Sequence, residues 1–154
     1  MRGKKSILWI ISIIYIFWIF SNSLMDGDAS GNMSSSLTRW LYEFLQLEKH
    51  GVSFELMHHL IRKGAHFTEY FVLGILICTA QKVSPLPFHP GILAALAVPC
   101  TDELIQHFVS GRYGAFSDVL LDMCGYACGF GICWLIIKQN LTVNNSVDDK
   151  RDKY

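Results

Sequence analysis

The chain has 154 residues, of which 51% are hydrophobic and 17% are charged, and its formal net charge is zero. This composition is too apolar for an ordinary soluble domain of the same length and indicates a membrane protein in a single domain. A neutral chain gives no electrostatic case for nucleic-acid binding. The five cysteines lie in apolar segments without metal-binding spacing, so we expect free thiols rather than a disulfide framework.

The first predicted span covers residues 6–25. A basic start, MRGKK, precedes this uncharged stretch of twenty residues, which is long enough to cross a bilayer as a helix. A cleaved signal peptide is the alternative, but the apolar stretch is long and lacks an A-x-A cleavage pattern. We therefore expect a retained helix with its N-terminus in the cytoplasm.

A polar connection follows over residues 26–56. Within it, Leu37, Trp40, Leu41 and Phe44 recur at helical spacing, after serines that can cap a helix. This pattern predicts a short extracytoplasmic amphipathic helix, on the outer membrane surface or over the mouth of a bundle. A lid over a substrate site is the alternative interpretation.

The second predicted span, residues 56–81, is unusual because its first half is polar. When residues are placed 100° apart around a helix, Arg62, His66 and Glu69 fall on one stripe about 60° wide. Charged groups in a membrane helix are costly unless they meet partners inside the protein. The stripe therefore predicts polar partners on other helices.

The third predicted span, residues 91–109, follows a loop with three prolines that stop helices. It contains Pro99, which we expect to kink the helix within a bundle that tolerates the kink. Directly after the kink, Asp102 and Gln106 share one helical face. This span therefore carries a second polar stripe.

The fourth predicted span covers residues 118–137. Asp118, Asp122, Gly125 and Gly129 lie on one stripe, and the small residues predict a close approach to another helix. The remaining residues, 139–154, are polar and predict a disordered cytoplasmic tail.

These elements predict an all-α integral membrane protein, a four-helix bundle over residues 1–138 with both termini in the cytoplasm. Eight Lys and Arg residues then lie inside and five outside, in the direction of the positive-inside rule. At 1.5 Å per residue, the polar stripes of the last three spans all lie within about 10–15 Å of the outer surface. We expect them to face one another and to form a polar pocket open to the outside.

Two stretches, RKGAHFTEYFVLG and DELIQHFVSGRYGAFSDVLLDMCG, resemble the VanZ-like family of small bacterial membrane proteins. The shared pattern covers roughly residues 60–130. This sequence departs from it at Asp122, where the family usually has Asn, and the carboxylate adds negative charge to the pocket. The positions shared with the family pattern are Arg62, Lys63, His66, Glu69, Asp102, Glu103, Gln106, Arg112 and Asp118.

The resemblance implies a multi-pass protein of the bacterial cytoplasmic membrane that acts in the cell envelope. The founding member of the family is associated with resistance to teicoplanin, a glycopeptide antibiotic that binds peptidoglycan precursors outside the cell. The expected partners are therefore the lipid bilayer and either a lipid-linked cell-wall precursor or a glycopeptide, with no nucleic acid.

Whether the pocket is an enzyme site stays open at this point. In a catalytic site, His66 would be the general base or nucleophile, and Glu69 or Asp102 would orient it. In a binding site without chemistry, the same pocket would hold a polar head group, a peptide or an antibiotic. The candidate substrate-binding residues are Arg62, Lys63, Tyr70, Glu103, Gln106, Arg112, Asp118 and Asp122.

Two more alternatives concern the same residues. The polar cluster can act as a scaffold whose ion pairs only hold the helices together. A divalent metal bound by His66, Glu69 and Asp102 is also compatible with the residue types. Because the nearby arginines and lysine can neutralise the carboxylates instead, we predict no metal and no other cofactor.

Overall fold

A computed structural model describes residues 2–83, 89–112 and 114–151, with side chains over 7–83, 89–112 and 114–140. Within these ranges the fold is all-α and has no strand. Its elements are α1 (Arg2–Ser23), α2 (Gly27–Phe44), a short 3-10 turn (Leu47–His50), α3 (Phe54–Val83), α4 (Pro90–Phe108) and α5 (Phe116–Arg151).

Each predicted span corresponds to a helix, and the predicted amphipathic segment is α2. Pro90 starts α4, as expected for a residue that lacks an N–H donor. The other two prolines of that loop, Pro85 and Pro87, lie outside the described residues. The disordered tail predicted from residue 139 is not observed, because α5 continues to Arg151. No Gly or Pro follows Gly131 in the sequence to end that helix.

Helix α2 leaves α1 at a sharp bend. The axes of α1 and α2 differ by 101°, and Asp26 caps α2 by accepting a hydrogen bond of 2.7 Å from the Ala29 amide. Helix α2 then packs against the first half of α3, where Ser34 Oγ lies 2.7 Å from His58 Nε2. Thr38, on the same helix, is fully buried. The amphipathic segment therefore lies over the polar half of α3.

Helices α3 and α5 approach each other closely. A Cβ atom at Gly125 would collide with the carbonyl oxygen of Phe67, and one at Gly129 would collide with that of Phe71. The close approach predicted from the glycine stripe is confirmed. The hydrophobic core extends from this contact towards α1 and α4 and contains Ile19, Tyr70, Leu73, Ile77, Ala94, Val98 and Tyr126.

The outer faces of the helices are apolar, whereas several buried side chains are charged. Ile14 is 61% exposed and Leu93 is 60% exposed, whereas Asp102 and Asp122 are fully buried. An apolar exterior around buried ionisable groups is typical of helices that face lipid.

Among the described residues, one helix alone is long and apolar enough to cross a membrane, namely α5 over Phe116–Asn140. The segments Ile7–Ser23 and Gly27–Phe44 meet the same criterion only as a bent pair. The four-span bundle and the cytoplasmic termini therefore stay predictions.

Candidate functional site

Three ionisable side chains from three helices meet in the polar half of the fold. His66 on α3, Asp102 on α4 and Asp122 on α5 each offer one ligand atom, and these atoms all lie within 4.8 Å of one another. His66 Nδ1 lies 3.9 Å from Asp122 Oδ1. The structure thus brings together one residue from each of the three polar stripes, and we call His66, Asp102 and Asp122 the acidic triad.

Asp102 is held by neutral hydrogen-bond donors. Ser23 Oγ, at the end of α1, donates a hydrogen bond to Asp102 Oδ1. Gln106 Nε2 donates to the other oxygen, Oδ2, over 3.2 Å and also lies 3.4 Å from Ser23 Oγ. The side chain of Tyr70 is fully buried, and its hydroxyl has no hydrogen-bond partner among the described residues. The carboxylate of Asp102 is therefore fixed in orientation without a cation.

Asp122 has no such donors. Both of its carboxylate oxygens are buried without a hydrogen-bond partner among the described residues, and so is His66 Nδ1. A buried polar atom without a partner costs about 1–3 kcal/mol, and more if it is charged. Within the described part of the chain, Asp122 therefore lacks the hydrogen-bond donor or cation that a buried carboxylate needs.

The cationic side chains near the acidic triad either contact other groups or have no ion-pair partner among the described residues. Lys63 Nζ forms an ion pair with Asp118 Oδ1 at 2.5 Å. A terminal nitrogen of Arg112 donates to the backbone carbonyl of Asn22 over 3.1 Å. Burial lowers the pKa of the Arg112 guanidinium, and the adjacent positive charge of Arg62 lowers it further. Among the described side chains, no Lys or Arg forms an ion pair with Asp102 or Asp122.

The two glutamates of the predicted site have separate surroundings. Glu69 Oε1 accepts a hydrogen bond of 3.1 Å from Asn22 Nδ2, which ties it to α1. Glu103 Oε2 accepts one of 2.9 Å from the Ala115 amide, which holds the turn between α4 and α5. Glu69 therefore lies outside the acidic triad, although the helical stripe places it on the same face as His66.

Two cavities adjoin His66. The amphipathic cavity, of about 330 Å³, lies between α1, α2 and α3. The polar cavity, of about 200 Å³, lies between α3, α5 and the turn that precedes α5. Arg62, His66 and Arg112 line both cavities. The amphipathic cavity is also lined by Trp18, Asn22, Ser23, Met33, Leu37 and Glu69.

The remaining predicted residues divide between the two cavities and the packed interior. Lys63, Gln106 and Asp118 line the polar cavity. Tyr70 and Glu103 are buried and belong to the lining of neither cavity. Their predicted role in substrate binding stays a prediction.

The sequence analysis missed two residues of the site, Asn22 and Ser23. Both belong to an uncharged stretch and were counted only as part of an apolar span. The signal that could have found them is the pair of neighbouring hydrogen-bonding side chains near the C-terminal end of that span. Polar side chains in lipid-facing helices usually point towards a partner inside the protein.

Comparison with known proteins matches this chain to a family model. Neither the curated proteins nor the solved structures contain a match to this chain. The model of the VanZ/LLP1 family matches residues 6–137, which include most of α1, all of α2 to α4, most of α5 and every residue of the acidic triad. The chain therefore belongs to the VanZ/LLP1 family.

Proposed function

We propose that the protein binds the anionic head group of a lipid-linked cell-envelope molecule in the amphipathic cavity, which opens towards the outer leaflet. One observation carries the proposal. The side chains of Arg62 and Arg112 line this cavity, and neither forms an ion pair with a described residue.

The chemistry of the cavity suits a phosphate or carboxylate joined to an apolar chain. A guanidinium group binds either anion through two parallel hydrogen bonds. Next to the arginines, Met33, Leu37 and Trp18 provide an apolar surface. Ligand pockets usually enclose about 300–1,000 Å³, so the cavity has room for a head group but not for a whole lipid.

Turnover of the bound molecule is the second candidate function. His66 and Glu69 line the same cavity as the two arginines. A head group held by Arg62 and Arg112 would therefore lie beside an imidazole and a carboxylate, which are the groups that most often transfer protons in enzymes. We propose His66 as the general base or nucleophile, with Glu69 and Asp102 as supporting residues.

Membership of the family and the apolar exterior of the helices support a role in the cell envelope. We propose that the protein lies in the bacterial cytoplasmic membrane as a four-span bundle. Tolerance to teicoplanin-type glycopeptides is the physiological effect to test, because these antibiotics bind envelope precursors on the outer side of that membrane.

Binding is tested with the purified protein in detergent and a lipid-precursor pool extracted from bacteria. We expect an anionic lipid-linked molecule to be retained and to be detected by native mass spectrometry. Loss of one charge-assisted hydrogen bond costs about 1.5–3 kcal/mol, so Arg62→Gln and Arg112→Gln should each weaken retention by about tenfold or more. Arg39→Gln is the matched control, because Arg39 is exposed on α2 and lines neither cavity.

The same incubation separates binding from catalysis. Conversion of the lipid by the wild-type protein, lost in His66→Ala and in Glu69→Gln, would establish an enzyme. Retention of unmodified lipid by all three proteins would establish a binding protein. If wild-type and Arg62→Gln proteins retain the same small amount of lipid, the proposed binding site is wrong.

The scaffold alternative also has an observation in its favour, because Ser23–Asp102 and Lys63–Asp118 each join two helices. A scaffold requires that variants of the polar residues lose thermal stability without any change in lipid retention. Measurement of both quantities on the same samples therefore decides between the two functions.

A further inference from the structure

We propose that the acidic triad, His66, Asp102 and Asp122, binds a divalent metal ion of the class that accepts both imidazole and carboxylate ligands, Zn²⁺ or Mn²⁺. The inference is independent of what the amphipathic cavity binds, because it rests on the triad alone.

The geometry of the triad is close to that of a metal site. Two atoms that bind one zinc ion at about 2.0–2.2 Å each can lie no more than about 4.4 Å apart. His66 Nδ1 and Asp122 Oδ1 are 3.9 Å apart, and the three ligand atoms all lie within 4.8 Å of one another. The three ligand atoms therefore lie almost as close together as binding to a single ion requires.

The surroundings of Asp122 indicate a missing cation. Its carboxylate is fully buried, and neither oxygen has a hydrogen-bond partner among the described residues. Asp102 is also fully buried, so two carboxylates share one water-poor region. A single divalent ion would neutralise both carboxylates and satisfy the unpartnered oxygens of Asp122.

The sequence predicts no metal because nearby cations can neutralise the carboxylates, but in the structure these cations have other partners or no ion-pair partner among the described residues. Lys63 is paired with Asp118, and Arg112 donates to a backbone carbonyl. No described Lys or Arg forms an ion pair with Asp102 or Asp122. Compared with the set His66, Glu69 and Asp102 that the sequence allows, Asp122 takes the place of Glu69, which accepts a hydrogen bond from Asn22.

A protonated His66 paired with Asp122 is the competing explanation. The 3.9 Å between their atoms is too long for a hydrogen bond, which needs about 2.7–3.2 Å. Such a pair would also neutralise only one of the two buried carboxylates. A metal ion gives both His66 Nδ1 and the carboxylate of Asp122 the partner that each lacks among the described residues.

A site with three protein ligands has coordination positions left for water or a ligand, as catalytic zinc sites do. His66 lines both cavities, whereas Asp102 and Asp122 line neither. A ligand in either cavity would therefore reach the bound ion beside His66.

The experiment measures metal in the purified full-length protein in detergent. The protein is treated with a chelator and dialysed, and then Zn²⁺ or Mn²⁺ is added separately. Bound metal is determined by elemental mass spectrometry after removal of the free ion, and thermal unfolding is recorded with and without the ion. We expect about one ion per chain and a higher unfolding temperature with the ion present.

Two variants remove ligands, and two matched variants leave the triad intact. Asp122→Asn keeps the shape of the side chain and removes its charge, and His66→Ala removes the imidazole. Each should weaken metal binding by about tenfold or more, since each good ligand is worth at least the 1.4 kcal/mol that corresponds to tenfold. His59→Ala, at a histidine lining the polar cavity, and Glu69→Gln should bind the metal as the wild-type protein does.

The measurement on the wild-type protein keeps the proposal falsifiable even if a variant fails to fold. Wild-type protein that binds neither ion and is not stabilised by either would overturn the proposal in favour of the His66–Asp122 ion pair. Equal metal binding by the wild type and a folded Asp122→Asn variant would also overturn it. A loss of binding in Glu69→Gln but not in Asp122→Asn would show that the ligand set is wrong.

Discussion

Lys63 on α3 and Asp118 at the start of α5 form an ion pair, with Nζ of Lys63 2.5 Å from Oδ1 of Asp118. The pair joins the same two helices that meet through the glycines of α5. It also occupies the charge of Lys63, so that Arg62 and Arg112 are the cations available to a ligand in the amphipathic cavity. Lys63 therefore joins two helices, whereas Arg62 and Arg112 are the candidate cations for binding a ligand.

Lys63→Gln should lower the stability of the protein by about 1 kcal/mol or less, because both side chains are partly exposed. The double variant with Asp118→Asn should be little less stable than either single variant, since the two changes remove the same interaction. Thermal unfolding in detergent measures both effects. Lys82→Gln, at an exposed lysine near the end of the same helix, is the control and should unfold as the wild type does. Additive losses in the double variant would show that the pair contributes no coupling.

Gly129→Ala should destabilise the contact between α3 and α5. The added Cβ would collide with the backbone carbonyl of Phe71, which cannot move without a shift of the whole helix. Overpacking of this kind costs about 1–3 kcal/mol, which thermal unfolding would detect.

Gly131→Ala provides the comparison on the same helix. A Cβ atom at Gly131 meets nothing within 4 Å, so we expect unchanged or slightly higher stability, because alanine favours a helix more than glycine does. If both variants unfold alike, the close approach of α3 and α5 at Gly129 is not what limits stability.

The four-span topology predicts which loops react with a membrane-impermeant thiol reagent in intact cells. In a variant without the native cysteines, Ser36→Cys on α2 should be labelled from outside. Lys82→Cys, which follows the second span, and Lys138→Cys, near the end of the fourth, should be labelled only after permeabilisation. Labelling of position 82 in intact cells would contradict the four-span arrangement. Labelling of position 36 only after permeabilisation would show that the protein has the opposite orientation in the membrane.

The common level of the polar residues along their helices could be predicted from the sequence, because each residue of a helix adds a fixed rise along its axis. The alternation of apolar runs with Pro and Gly located the helices, although Pro90, which was predicted to stop a helix, is the first residue of α4. The positions of the helices and the rise per residue together predict that His66, Asp102 and Asp122 lie at one level in three different helices. The structure places these three side chains together.

The pairing of those residues could not be predicted in the same way. The helical stripe assigned Glu69 to the same group as His66, but Asn22 from α1 holds the Glu69 carboxylate. Which side chains meet depends on the rotation of each helix about its axis, and that rotation follows from packing, here from the contact of Gly125 with the backbone at Phe67. A single sequence shows which residues share a face of one helix, but it does not show how far each helix is rotated about its axis relative to its neighbours.

Helix α2 is tied to the rest of the protein near both of its ends. The amide of Gly27, its first residue, donates a hydrogen bond of 3.0 Å to the carbonyl of Ser110. Near the other end, the Tyr42 hydroxyl donates one of 2.6 Å to the carbonyl of Val52. The amphipathic cavity is thus preformed, and a ligand does not have to order α2 when it binds, which avoids a cost in conformational entropy. Association is then governed by entry of the ligand rather than by closure of the protein around it, and related ligands should differ mainly in their dissociation rates.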